Sequence, residues 1–319
     1  MQITKLMRII GNDVLADLHA YMIEKSKKYD ENRFQAFVLR NVHSIEKGLS
    51  LENPRAGFGF EKIHELMEQI DFYLSMGGTK NSTHIHMAID AIQEYLDYHK
   101  MINYTDSNIE QISKEYNHLK CKSPVYTEKK GGIRFIHRKN WSQEEKNRFK
   151  NLIQSRHSIR QFSGENVDID DLKEAINLAF YAPSACNRQA VRTYILSKEK
   201  KQEVGDWLDG VGGFANDVDT YVIVTGKQSY YYLSEHRQYI VSASIAIGYL
   251  TLTLEMFSIG ACVLQRPVVY SKKWNEFKKK MNIPDDEQVI AFLGCGMLKE
   301  DYKVPISNRL KFDEIGRVL

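Results

Sequence analysis

Across the first 118 residues or so, apolar side chains recur at intervals of three and four: Leu15, Leu18, Ala20 and Met22 form one set, and Ile63, Leu66, Met67, Ile70 and Leu74 another. That period predicts helices with one apolar stripe each, so residues 1–119 read as an all-α region. Residues 120–141, KCKSPVYTEKKGGIRFIHRKNW, break the period with a proline, two glycines and many charges, and read as a linker.

From residue 142 the pattern changes. Asp168 is placed to cap a helix whose core face is Leu172, Ala175, Ile176 and Ala179. Short apolar runs then alternate with helical stretches: Thr193–Ser197, Thr220–Gly226, Ala261–Gln265 and Val289–Gly296. Four strands interleaved with helices predict an α+β domain over 142–319, a sheet flanked by helices and preceded by the helical region. The uncharged stretch Tyr239–Leu254 is shorter than the roughly 20 residues that cross a membrane, and its all-round apolar character predicts a helix buried on every side.

Composition narrows the classes. A formal charge of +3 from 44 basic and 41 acidic residues among 319 is too balanced to make nucleic acid the default partner. The N-terminal segment mixes charge into its apolar residues too often for a signal peptide. The four cysteines, Cys121, Cys186, Cys262 and Cys295, are far apart and form no Cys-x-x-Cys pair. A soluble protein of a reducing cytoplasm is expected, with no membrane segment and no zinc or disulfide framework.

Two polar clusters flank the capped helix. In SRHSIRQF, Arg156, Ser158 and Arg160 alternate, so an extended backbone would turn all three to one face, where they could converge on a phosphomonoester. A solvated basic helix end fits the spacing equally well. In APSACNRQ, Ser184, Asn187 and Gln189 offer hydroxyl and amide groups that suit a heteroaromatic ring, or a turn that hydrogen-bonds to itself. Neither G-x-G-x-x-G nor G-x-x-x-x-G-K occurs, which excludes the usual dinucleotide and P-loop fingerprints.

Other candidates carry less. Small residues around Gly260 would let a flat ligand approach the backbone, and Cys262 in the same apolar run reads as a core residue. His43 and Glu46 stand three apart on a helix, and His84 and His86 lie close together. A dimetal site would need a second such pair and further carboxylates, so capping or surface roles are preferred and no metal is expected.

Taken in order, SRHSIRQF, APSACNRQ, SIGACVLQRP, IPDDEQVIAFLGCG and VPISNRLKFDEI resemble the FMN-dependent nitroreductase family over residues 150–319. The resemblance implies an α+β homodimer with FMN at the subunit interface. It implies that Arg156 and Ser158 hold the FMN phosphate, with His157 and Arg160 beside the ribityl chain or the pyrimidine side of the ring. Arg309 would complete the phosphate site. Pro183, Ser184 and Asn187, assisted by Gln189, would reach the flavin from the partner subunit, and the backbone at Leu264 and Gln265 would pass the reactive edge.

This chain departs from the family pattern in three places. Ala190 and Val191 stand where Pro-Trp is frequent, which would change the pocket wall. Ser307 replaces a frequent lysine near the phosphate. The N-terminal helical region resembles that of longer nitroreductase-like proteins sometimes encoded among polysaccharide-biosynthesis genes. The implied activity is hydride transfer from NAD(P)H through FMN to a small organic acceptor, nitroaromatic or quinone-like. The alternative is a non-catalytic flavin-binding or scaffold protein of a larger assembly.

Overall fold

The computed structural model describes residues 2–25, 30–122, 127–204, 207–208, 211–235, 237–265 and 272–319. Five helices, α1 (Gln2–Lys25), α2 (Glu31–Leu49), α3 (Phe60–Ser75), α4 (Thr83–Met101) and α5 (Ser107–Lys122), build the N-terminal region. Asp30 starts α2 by accepting a hydrogen bond from the Asn32 amide, and Glu31 and Lys47 complement the helix dipole at its two ends. Ile63, Leu66, Met67 and Ile70 are buried as their period predicts, against Val42, Ile45, Ile92 and Tyr95 of α2 and α4.

The stripe on α1 behaves differently: Leu15, Leu18 and Met22 are exposed. Period shows that a helix has an apolar face but not whether anything covers it. Instead, polar residues tie α1 to the rest of the chain. Asp17 pairs with Arg237 at 3.3 Å, and His19 Nε2 lies 3.2 Å from Asp285 Oδ2.

Beyond α5, Lys130 and Gly131 donate their amides to Asp90 on α4, and Gly132 donates to Glu46 on α2. A side chain at Gly131 would collide with the Met87 carbonyl, which explains a glycine here. Residues 134–142 are exposed and free of helix or strand.

The second half contains α6 (Gln143–Ser155), α7 (Ile169–Ala179), β1 (Val191–Ile195), α8 (Lys198–Val204), β2 (Thr220–Lys227), α9 (Gln238–Met256), β3 (Ile259–Gln265), α10 (Lys272–Lys280), β4 (Glu287–Met297) and α11 (Phe312–Ile315). The four strands form one antiparallel sheet in the order β1-β2-β4-β3. Alternation along each strand serves two cores. Val222, Val224, Ile259 and Ala261 face α7 and α9, while Tyr221, Ile223, Cys262 and Leu264 face Phe277 of α10 and Val204 of α8. A register shift between Val224 and Thr225 places Ile290 and Leu293 in the same core although they are three residues apart. Ala36 and Leu39 of α2 enter that core too, so the helical region is packed onto the sheet domain.

Helix α9 is not buried on every side. Tyr239, Ala243, Ala246, Leu250 and Leu254 are covered by α7 and the sheet, whereas Val241, Ile245, Tyr249 and Met256 are exposed. One chain has only enough layers to cover one face. By length and composition alone this helix would also suit a membrane.

Candidate functional site

Helix α6 begins with a reciprocal capping box between Ser142 and Glu145 and ends at Arg156, whose backbone turns extended (φ −62°, ψ 117°). From there the chain runs along the outer edge of β3. Ser158 bridges Ala261 in parallel, the Ile159 amide donates to the Ala261 carbonyl at 3.0 Å, and Phe162 bridges Leu298. Ile159 and Phe162 are driven into the core beneath the sheet, which fixes the segment and leaves Ser158 and Arg160 exposed, with Arg156 half-buried. Exposure therefore alternates over Ser158, Ile159 and Arg160, as an extended backbone requires.

The glycines of this region serve that segment. A Cβ at Gly260 would meet Ile159 and Leu298, and one at Gly296 would meet Phe162. The expectation that Gly260 clears space for a flat ligand is thus overturned: side chains of the chain itself occupy the space. Cys262, in the core, has its thiol pKa raised by burial against a smaller opposing effect of Arg160, an environment unsuited to a nucleophile.

The basic side chains of Arg160 and His157 bond to nearby backbone carbonyls. Arg160 Nη1 donates to the Ser158 carbonyl at 3.4 Å, and His157 Nδ1 lies 2.6 Å from the Ser155 carbonyl oxygen. Among the described residues no carboxylate pairs with Arg156, Arg160 or Arg309. Arg309 sits on an exposed run, donating to the Ser307 carbonyl, and that run meets the segment where the Lys303 amide donates to Gln161 Oε1 at 3.4 Å. No hydrogen bond or ion pair among the described residues joins Arg309 to Arg156 or Ser158.

The second cluster follows α7, which Asp168 caps by accepting from the Asp170 and Asp171 amides. Past the helix, Cys186, Asn187 and Gln189 have φ of 52°, 49° and 50°. Such left-handed geometry is uncommon outside glycine, and clustering of it marks a turn fixed by its surroundings. The Gln189 amide donates to Ser184 Oγ at 3.1 Å, so the turn does bond to itself in part, while the side chains of Asn187 and Gln189 remain exposed beside exposed Pro183. Ala190 and Val191 are buried in the sheet core.

Leu264 points into the core on the α10 side and has only its backbone to offer. Gln265 ends β3 with its backbone opposite Ala291, and its side chain lies outside the described set. In the helical region, Glu46 is engaged by the Gly132 amide, and burial raises its carboxyl pKa. Burial lowers the imidazole pKa of both His43 and His84, with Lys47 and Arg192 respectively adding to it. His86 lies 3.2 Å from Asp90.

Sequence reasoning missed Arg188. The residue is 2% exposed, and its guanidinium forms a bidentate pair with Glu235, at 2.7 and 2.9 Å, directly behind the left-handed turn. The partner is 47 residues away, so no local spacing signals the pair.

Part of the chain is similar to known proteins. Residues 153–210 match the family model described as the Nitroreductase family. Over 61 residues the chain is 39% identical to a Streptococcus pyogenes protein that carries the name NAD(P)H nitroreductase; the match covers 19% of this chain and 30% of that relative. A nitroreductase family protein of Streptococcus pneumoniae has a TM-score of 0.46 at 20% identity, covering 54% of this chain and all of its own. An FMN-dependent nitroreductase of Clostridium difficile has a TM-score of 0.45 at 19% identity, covering 52% of this chain and 96% of its own. Residues 153–210, which hold the basic segment, all of α7 and the left-handed turn, are thus the stretch over which this chain is similar to the nitroreductase family.

Proposed function

We propose that this protein is a homodimeric, FMN-dependent oxidoreductase that passes hydride from NAD(P)H to a small organic acceptor, nitroaromatic or quinone-like, in a reducing cytoplasm. The observation that carries this is the extended run 156–160. Two guanidinium groups without carboxylate partners and one hydroxyl lie along a sheet edge, anchored by buried Ile159. Unpaired cations with a neighbouring hydroxyl and an extended backbone fit a phosphate monoester, whereas structural arginines of this chain, such as Arg188, are already paired.

When bound, FMN supplies the hydride chemistry at its ring. The residues of the chain bind and orient it. Arg156 and Ser158, joined by Arg309, hold the phosphate, with His157 next to them. Arg160 would set positive charge beside the pyrimidine side of the ring. From the partner subunit, Pro183, Ser184, Asn187 and Gln189 would contact the ring, and the backbone of Leu264 and Gln265 would lie near it. Dimerisation draws support from exposed apolar residues on three elements: Val241, Ile245 and Tyr249 on α9, Phe149 and Ile153 on α6, and Ile306, Leu310 and Phe312 in the C-terminal run.

The test is steady-state oxidation of NADH and NADPH by the FMN-loaded protein with menadione or a nitroarene. Acceptor-dependent turnover is expected. Bound FMN without turnover would favour the second reading, a flavin-binding partner in a larger assembly. That alternative draws on the exposed apolar residues Leu15, Leu18 and Met22 of α1.

A further inference from the structure

The left-handed turn is gripped from behind by a charged clasp. Arg188 sits between two left-handed residues, Asn187 and Gln189, yet its own backbone is right-handed (φ −70°, ψ −16°) and its side chain points inward. Besides the two bonds to Glu235, Nη1 donates to the Tyr230 carbonyl at 3.2 Å, and Cζ lies 4.8 Å from the Tyr231 ring centre. Glu235 also accepts from the Tyr232 amide at 3.4 Å. Helix α2 packs against residues 185–187 and against 228–230, and its Arg40 stacks 4.7 Å over the Tyr232 ring.

A buried ion pair is weak as a source of net stability and better suited to selecting one conformation. A guanidinium fork held by two carboxylate oxygens has a fixed orientation that lysine could not reproduce. Burial works against the charge on Arg188, but the hydrogen bond and charge of Glu235 outweigh it and raise its pKa. Within the turn the supporting bonds are few: the Gln189 amide to Ser184 Oγ, the Asn187 amide to the Ser184 carbonyl, and the Arg188 amide to the Ala185 carbonyl.

We infer that Arg188 is a positioning residue: its clasp with Glu235, backed by α2, holds the 184–189 turn in the conformation that presents Asn187 and Gln189 to the cofactor. This rests on the flavin assignment proposed above. It also gives the helical region a role at the site without direct contact with the ligand, since α2 covers the rear of the clasp.

The experiment compares the full chain with Arg188→Lys, Glu235→Gln, Asn187→Ala and the Asn187→Ala/Arg188→Lys double variant. Amide hydrogen exchange without flavin is expected to rise by about tenfold at residues 185–189 in Arg188→Lys and Glu235→Gln, with β2 and β4 unchanged. The FMN dissociation constant should rise on the order of tenfold, with an altered visible circular dichroism of the bound flavin. In the Asn187→Ala background Arg188→Lys should add little, because the two act as one unit. Unchanged exchange in the turn would overturn the clasp whatever the ligand. Faster exchange with unaltered FMN affinity, or additive losses in the double variant, would overturn its link to the site while leaving the flavin assignment standing. A wild-type chain that takes up no FMN would overturn that assignment, and the positioning role with it.

Discussion

Arg156 and Arg188 lie 32 positions apart and illustrate two fates of a guanidinium. Arg188 is buried and satisfied by Glu235; Arg156 is half-buried at the end of α6 with no carboxylate partner among the described residues. An ionised group left in that state is available to an external anion. Arg156→Ala is therefore expected to weaken FMN binding by roughly 1.5–3 kcal/mol, the range for a hydrogen bond to a charged group, and Arg309→Ala by a similar amount. Flavin titration of the two variants provides the check, and unchanged affinity in both would displace the phosphate site. At this scale the sequence was informative about alternation and silent about partners. The spacing of Arg156, Ser158 and Arg160 predicts a shared face, and Ser158 and Arg160 are exposed on either side of buried Ile159. Nothing local revealed that Ile159 and Leu298 fill the space at Gly260, because those residues lie 101 and 38 positions away from it.

Among the elements, the capped helix α7 and the four strands were legible because each is fixed by neighbours in sequence: a cap, a period, a run of β-branched residues. Helix α9 was misjudged, and the exposed stripe of the correctly expected helix α1 shows the same reason. Their apolar character is plain, but its cover depends on which layers reach them, and one chain leaves a face of each exposed. The helical bundle supplies a pH test. His64 Nδ1 on α3 lies 2.8 Å from Glu115 Oε2 on α5, and that hydrogen bond raises the imidazole pKa, with burial opposing it. A folded-state pKa above the unfolded value means that the tie stabilises fully below about 6.5 and fades as pH rises through the folded value. The stability difference between wild type and His64→Gln, read from urea midpoints, should be larger near pH 5.5 than near pH 8.5; both side chains are partly exposed, so it should be small throughout. An equal difference at the two pH values would remove the charge from the account.

For the whole molecule, the proposal makes the exposed faces of α6, α9 and the C-terminal run one interface. It also divides each flavin site between two chains. Mixing Arg156→Ala with Asn187→Ala protein should then generate heterodimers holding one intact and one doubly altered site, restoring flavin binding to about one quarter of wild-type sites if exchange is random. A monomer by light scattering that still binds FMN tightly would exclude shared sites. The most direct test of the central claim is the identity of the flavin released on denaturation after reconstitution, separated by chromatography. The account predicts FMN, in an amount close to equimolar with the chain, because the cations at 156, 160 and 309 suit a single terminal phosphate and no dinucleotide fingerprint accompanies them. Release of FAD, or of no flavin at all, would contradict it.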